Sequence, residues 1–273
     1  MNNQLIIGSV QMPTSSKRKT NLETMESYLA HINKNFPQVE LVVFPELAST
    51  DFNKKPRVQA EELPGKTTKF FSELAKKYNT WLVPGSVYEL ESDNVYNTCP
   101  VFNPSGKLVG RYRKRYPWTP YEKTEPGREP FVFNIKNVGK VGLMVCYDIW
   151  FPEVSRDLVN LGAELLIVPT MTTTGDRAQE RIIARATAIT QQCYVVTCNS
   201  VGYAGVGGSQ IIDPEGFVLQ DGGGSAILQT AVIDFNRIRN LREVGIAGVT
   251  APLKTFYENK QGFKVYKKNN NKS

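Results

Sequence analysis

Apolar residues recur along the chain in two spacings, alternate positions and helical intervals, and the two take turns from one end to the other. Leu5 to Gln11 reads as a strand, and a helix is predicted from Thr20, with Glu23 as capping-box partner and Leu22, Met25, Leu29 and Ile32 as its stripe. Leu41 to Phe44 is a buried strand ending at Pro45-Glu46. Lys66 to Tyr78 is an amphipathic helix with Phe70, Phe71 and Leu74 inward, followed by strands over Trp81 to Ser86, Tyr96 to Phe102 and Lys107 to Arg113. Val141, Leu143 and Val145 alternate with Gly142 and Met144 and stop at Cys146, just before a polar turn. Phe151, Val154, Leu158 and Leu161 then keep helical spacing, with Pro152 in the first turn and Gly162 suited to the C-terminal cap. Ala163 to Pro169 returns to strand, so a thiol stands at the carboxyl end of the first strand of a crossover unit, where ligands gather.

The later chain repeats the plan. Gly175 to Gln191 is a long helix and Tyr194 to Asn199 a buried strand; Gln210 to Ile212, Phe217 to Gln220 and Ala226 to Asp234 are further strands. Asn103-Pro104-Ser105-Gly106 and Asp213-Pro214-Glu215-Gly216 are the same strong turn signal in corresponding places. Alternation with an internal echo predicts an α/β protein, a four-layer αββα sandwich of two mostly mixed sheets with helices outside. Helices covering both faces of one parallel sheet would leave a similar pattern. No linker splits the chain, so residues 1–258 are expected to form one domain, followed by a basic, flexible tail over 259–273 that carries Lys260, Lys264, Lys267, Lys268 and Lys272.

Composition narrows the function classes. Apolar residues make up 41% of the 273, enough for a sizeable core. The formal charge of +7 sits partly in the tail and comes with no nucleic-acid-binding motif, so no nucleic-acid partner is expected. No apolar run approaches the roughly 20 residues of a membrane span. Cys99, Cys146, Cys193 and Cys198 lack metal-ligand spacing, and no charged-then-apolar leader precedes Leu5, so free thiols, no metal and a cytoplasmic setting are expected.

A thiol at a strand end is either a small core residue or a nucleophile, and as a nucleophile it needs a base. The single histidine, His31, falls off its helix's stripe, which argues against a Cys-His pair. Glu46, after the apolar FPE strand end, is a carboxylate placed for partial desolvation, which raises its pKa toward that of a useful base. Lys114 closes the strand KLVGRYRK and could hold a developing oxyanion. Glu46 could also be a surface charge or cap, and Lys114 part of a solvated RYRKR face. All three end strands of one α/β core, where side chains from different strands converge.

FPEL around Glu46, GRYRK ending at Lys114 and CYDIWFPE from Cys146, followed by RDLVNLGAELLIVP, resemble the nitrilase, or carbon-nitrogen hydrolase, superfamily in content, order and separation. The resemblance runs from about Leu5 to Asp234 and implies the αββα sandwich, a homodimer or larger homo-oligomer, and a Glu-Lys-Cys catalytic set carried here by Glu46, Lys114 and Cys146. RYRKRYPWTPYEKTEPG looks most like the aliphatic amidase and formamidase branch, which adds Glu122 as a second glutamate on the lysine loop. Arg115, Tyr116 and Leu47 depart from residue types common there. The implied reaction is hydrolysis of a small amide through a Cys146 thioester without metal or organic cofactor. The oxyanion is held by Lys114 and the Tyr147 N–H, and Trp118, Tyr147, Met171 and Thr172 line the acyl pocket. Asp148 is expected to cap the next helix or hold an arginine. An N-carbamoyl amide hydrolase shares the CYD-x-x-FPE pattern; a nitrilase or an inactive binding homologue are further readings.

Overall fold

The computed structural model describes residues 3–259, and the lysines expected in a basic tail lie outside them. Two sheets face each other. The first has seven strands in the order Ile227–Asp234, Gln4–Gln11, Leu41–Val43, Trp81–Val83, Asn94–Phe102, Val87–Glu91, with Leu108–Arg113 also paired to Asn94–Phe102. The second has six, in the order Val218–Asp221, Gln210–Ile212, Tyr194–Cys198, Leu165–Pro169, Gly139–Leu143, Val132–Ile135. In each, three parallel strands are flanked by antiparallel ones, as short crossovers and hairpins require.

Period-two side-chain direction explains why strands such as Leu41–Val43 are apolar throughout: both faces are covered. Leu41, Val43 and Val83 point into a core between the sheets, where they join Val141, Leu143, Ile167 and Val196 of the second sheet. Val42, Phe44 and Leu82 point outward onto Met25, Leu29 and Ile32 of the helix Arg18–Asn35 and onto Phe71 and Leu74 of the helix Lys66–Lys77. On the other side Leu166, Val168 and Val195 pack on Val154 and Leu158 of the helix Pro152–Asn160 and on Ala184 and Ala188 of the helix Arg177–Gln191. Three apolar layers between four layers of secondary structure are the αββα sandwich.

The halves repeat in detail. Both predicted turns close hairpins, with Gly106 and Gly216 at φ of 81° and 85°. Asn103 Oδ1 accepts from the N–H groups of Ser105 and Lys107, as Asp213 Oδ1 does from those of Glu215 and Phe217. Each hairpin also carries a register shift at the same place, after Val101 and after Ile211.

Local departures have local causes. The first helix starts at Arg18, and its entry is tied by Asn21, whose side chain bonds the Ser15 backbone in both directions at 2.8 and 2.9 Å; Thr20 and Glu23 form no capping box. The strand from Trp81 stops at Val83, because Gly85 turns the chain at φ 79°; Val87–Glu91 is an additional strand. Helix Arg177–Gln191 begins two residues late, and Leu161, read as part of an apolar stripe, is 48% exposed beyond the end of its helix.

Candidate active site

Glu46, Lys114 and Cys146 meet where the parallel strands of both sheets end. Glu46 follows Leu41–Val43 by a tight turn whose backbone N–H donates to Thr170 O of the opposite sheet at 3.3 Å. Gly85 packs on this turn so closely that a Cβ there would lie 1.7 Å from Pro45 O. Lys114 continues the hairpin strand Leu108–Arg113, its N–H donating to Asn97 O at 2.8 Å. Both side chains are 2% exposed.

Burying a lysine and two carboxylates is favourable only if they satisfy one another. Lys114 Nζ donates to Glu46 Oε1 at 2.9 Å and to Glu122 Oε2 at 2.6 Å. Asn97 Nδ2 donates to the same pair, at 2.8 Å to Glu46 and 2.7 Å to Glu122. The Trp118 N–H and the Thr124 hydroxyl complete Glu122's shell. Burial raises the Glu46 carboxyl above the usual range; the Lys114 charge opposes that and Glu122 adds to it. Burial also pushes Glu122 up, but Lys114 and its hydrogen bonds outweigh it, so Glu122 lies below its ordinary value. Burial disfavours the Lys114 charge, yet Glu46, Cys146 and Glu122 together hold its pKa well above normal. One carboxylate is thus tuned toward base chemistry and the other kept ionised.

Cys146 lies past the strand Gly139–Leu143 and opens a 3-10 turn, Cys146–Trp150, with φ of 49°, a left-handed conformation unusual for a side-chain-bearing residue. The thiol lies within reach of the Glu46 charge and of the Met171 N–H. Burial and the Glu46 charge push its pKa well up, against the pull of Lys114. The turn is held by Asp148, a fully buried carboxylate that accepts from the N–H groups of Val145, Arg115 and Tyr116 and from the Tyr112 hydroxyl. Burial raises its pKa to about 6. Asp148 therefore caps its own turn and ties it to the Lys114 loop; it does not cap the following helix, and the Arg115 guanidinium pairs with Asp157 at 2.7 Å instead. Tyr116 stacks on Phe151 with ring centroids 3.7 Å apart.

A narrow cleft beside the sulfur is lined by Trp118, Tyr147, Met171 and Thr172, together with Trp150 and Glu180. The Thr172 hydroxyl lies 4.0 Å from Cys146 Sγ and donates to Glu180 Oε2 at 2.6 Å.

The family model described as carbon-nitrogen hydrolase matches residues 6–243. The chain belongs to the carbon-nitrogen hydrolase family. An omega-amidase of Saccharomyces cerevisiae is 30% identical over 268 residues, covering 89% of this chain and 91% of that protein. An omega-amidase of Xenopus tropicalis is 31% identical over 221 residues, covering 75% and 80%. Among solved structures, that of Saccharomyces cerevisiae Nit3, a member of branch 10 of the nitrilase superfamily, superposes with a TM-score of 0.81 at 28% identity, covering 88% of this chain and 93% of that one. These relatives are named omega-amidases, where the Lys114 loop had suggested the aliphatic amidase and formamidase branch.

In this carbon-nitrogen hydrolase all eight expected site residues fall in one region: Glu46, Lys114, Glu122 and Cys146 in the charged cluster, the other four along the cleft. Asn97, Asp148 as a backbone anchor, Trp150 and Glu180 were missed. Asn97 had a signal, a polar amide near the start of the predicted strand YNTCPVF. Glu180, one charge among several on a helix, had none. Among the described residues no helix is long and apolar enough to cross a membrane.

Proposed function

We propose that this hydrolase converts a small linear primary amide into a carboxylic acid and ammonia through a thioester on Cys146. The observation that carries the reading is a buried carboxylate of raised pKa, Glu46, hydrogen-bonded to a buried lysine and close enough to the Cys146 thiol for its charge to act on it. Amidase names among relatives at about this length and identity support the substrate class.

Glu46 takes the thiol proton as sulfur attacks the amide carbon, and the carbonyl π electrons move to oxygen. The oxyanion is held by Lys114 Nζ and the Tyr147 N–H. The intermediate collapses by breaking the C–N bond as Glu46 delivers its proton to nitrogen, releasing ammonia. Glu46 then deprotonates a water that attacks the thioester, the C–S bond breaks, and the sulfur recovers the proton. Glu122 and Asn97 hold Lys114 and Glu46 at the distances this needs. Residues 1–258 act as one domain on this reading, and the family resemblance supports a homo-oligomer, which sedimentation velocity reads.

The test is ammonia release from short primary amides by the wild-type protein and Cys146→Ala. The variant is expected to lose turnover by about 10⁴-fold or more, and mass spectrometry of the wild type with a slow amide should show the acyl adduct on Cys146. Near-normal ammonia release from folded Cys146→Ala would falsify the reading, and carbon dioxide formed alongside ammonia from N-carbamoyl substrates would transfer it to carbamoyl cleavage.

A further inference from the structure

The cleft beside Cys146 carries a charge pattern that bears on the acyl half of the substrate, an argument that rests on the amide-hydrolase reading above. Trp118, Tyr147 and Trp150 supply aromatic lining, and Thr172, Asp176 and Glu180 supply polar lining; among the described residues no lysine or arginine lines it. Lys114 is bound up with Glu46 and Glu122. The Arg177 guanidinium is buried beside Glu180 at 2.9 Å, and its other nitrogens donate to Gly207 O and Gly208 O. Asp176 accepts from the Thr174 hydroxyl and forms no ion pair with a described residue, so the cleft carries a net negative charge even after Arg177 offsets Glu180.

Glu180 is the informative residue. It is 2% exposed; its Oε2 accepts from Thr172, and its buried Oε1 has no hydrogen-bond partner. An unfilled acceptor on a buried carboxylate is costly, and a donor brought by a ligand relieves that cost. The omega-amide of a dicarboxylic acid ends in a carboxylate, which would face Glu180 and Asp176 with no lysine or arginine among the described lining residues to receive it. A protonated amine meets the reverse situation: a carboxylate with a free lone pair, and ring faces that attract cations.

We propose that the acyl pocket takes a short linear amide whose chain ends in a protonated amine, with that ammonium hydrogen-bonded to Glu180 and flanked by the aromatic wall of Trp118, Tyr147 and Trp150. A bound ammonium has a second consequence. After burial and Glu46, Glu180 adds to the forces that keep the Cys146 thiol protonated, and a cation beside Glu180 cancels its share.

The experiment compares kcat/KM for ammonia release from three amides of matched length, 3-aminopropanamide, butanamide and succinamate, at pH 7 and low salt. The expected order is cationic, neutral, anionic, with about tenfold or more between the ends, narrowing as salt rises. Glu180→Gln should erase most of the preference for 3-aminopropanamide over butanamide. Should that variant misfold, Asp176→Asn, at the more exposed acid, should shrink the same ratio by a smaller factor. Succinamate turned over as well as or better than 3-aminopropanamide by the wild type overturns the inference, as does a Glu180→Gln enzyme that loses all three activities equally with the order intact. No ammonia from any of the three by folded protein overturns the amide-hydrolase reading itself, and this inference with it.

Discussion

In the first sheet the strand Leu41–Val43 runs on to Pro45-Glu46; in the second, Leu165–Pro169 runs on to Thr170, and the two ends meet through the Glu46 N–H and Thr170 O. The repeat puts other unlike residues at like positions. The register that pairs Ile7 with Leu41 and Val141 with Leu165 sets the core methionine Met12 against Cys146. The hairpins set Lys114 against Gly224 and Asn97 against Gly207. One half thus supplies the Glu46, Lys114 and Glu122 charges and the other the sulfur and most of its cleft. A repeated scaffold delivers its strand ends to one place twice, and chemistry needs only that the two deliveries differ.

The largest test of that division is Lys114→Ala, which gives Lys114 its counterpart's lack of charge. An oxyanion donor is worth about 3 kcal/mol, so kcat should fall by roughly 10²- to 10³-fold. Glu46 and Glu122 are also left facing each other without their cation, so thermal or urea unfolding should show a loss of about 3–5 kcal/mol. A stable variant with near-normal kcat would remove Lys114 from the chemistry.

A smaller effect separates the two carboxylates. The Glu122 charge is one of the forces raising Glu46, after burial and against Lys114. A base works deprotonated, so activity should rise with pH through the Glu46 pKa, above the ordinary carboxylate range. Glu122→Gln removes the like charge, lowers that pKa and should move the acid limb of the kcat/KM profile to lower pH. An acid limb that stays in place would show that Glu46 does not set it.

The equivalence of the halves was partly legible in the chain, because turn chemistry is local: Asn-Pro-Ser-Gly and Asp-Pro-Glu-Gly dictate the same hairpin wherever they stand. Doubly buried strands were legible for a similar reason, through unbroken apolar runs. Glu46 and Cys146 could be picked out because each breaks such a run where a strand should end, and Lys114 because it closes a predicted strand in the GRYRK block. Other features depend on partners distant in sequence. The Gly85 turn exists because Pro45 O passes beside it, and Glu180 matters because it lies near Thr172 and the sulfur. The entry of the first helix was misread because Asn21 bonds back to Ser15, a competition that spacing alone does not reveal.

The smallest prediction uses the hairpins as matched controls. Alanine at either left-handed glycine should cost about 1 kcal/mol in backbone strain. A Cβ at Gly106 also meets the Ser72 carbonyl at 2.6 Å, a backbone atom, whereas at Gly216 it meets the Ile189 side chain at 2.6 Å, which can rotate away. Gly106→Ala should therefore lower stability more than Gly216→Ala, by unfolding free energies measured side by side, with ammonia release largely kept in both. Equal losses would mean that the surroundings of the two turns are less different than their neighbours suggest.

The antiparallel pairing of Gln4–Gln11 with Ile227–Asp234 has a consequence for how the molecule is made. Of the described strands, one is the first to leave the ribosome and the other the last. Until residue 234 has emerged, the first strand carries an unpaired edge beside Leu41–Val43, the kind of edge that recruits other chains. Every residue of the charged cluster has been synthesised by then. The nascent chain thus holds its whole catalytic inventory, in a sheet still missing its edge, while residues 147–234 are added, and that interval is when a chaperone has most to protect.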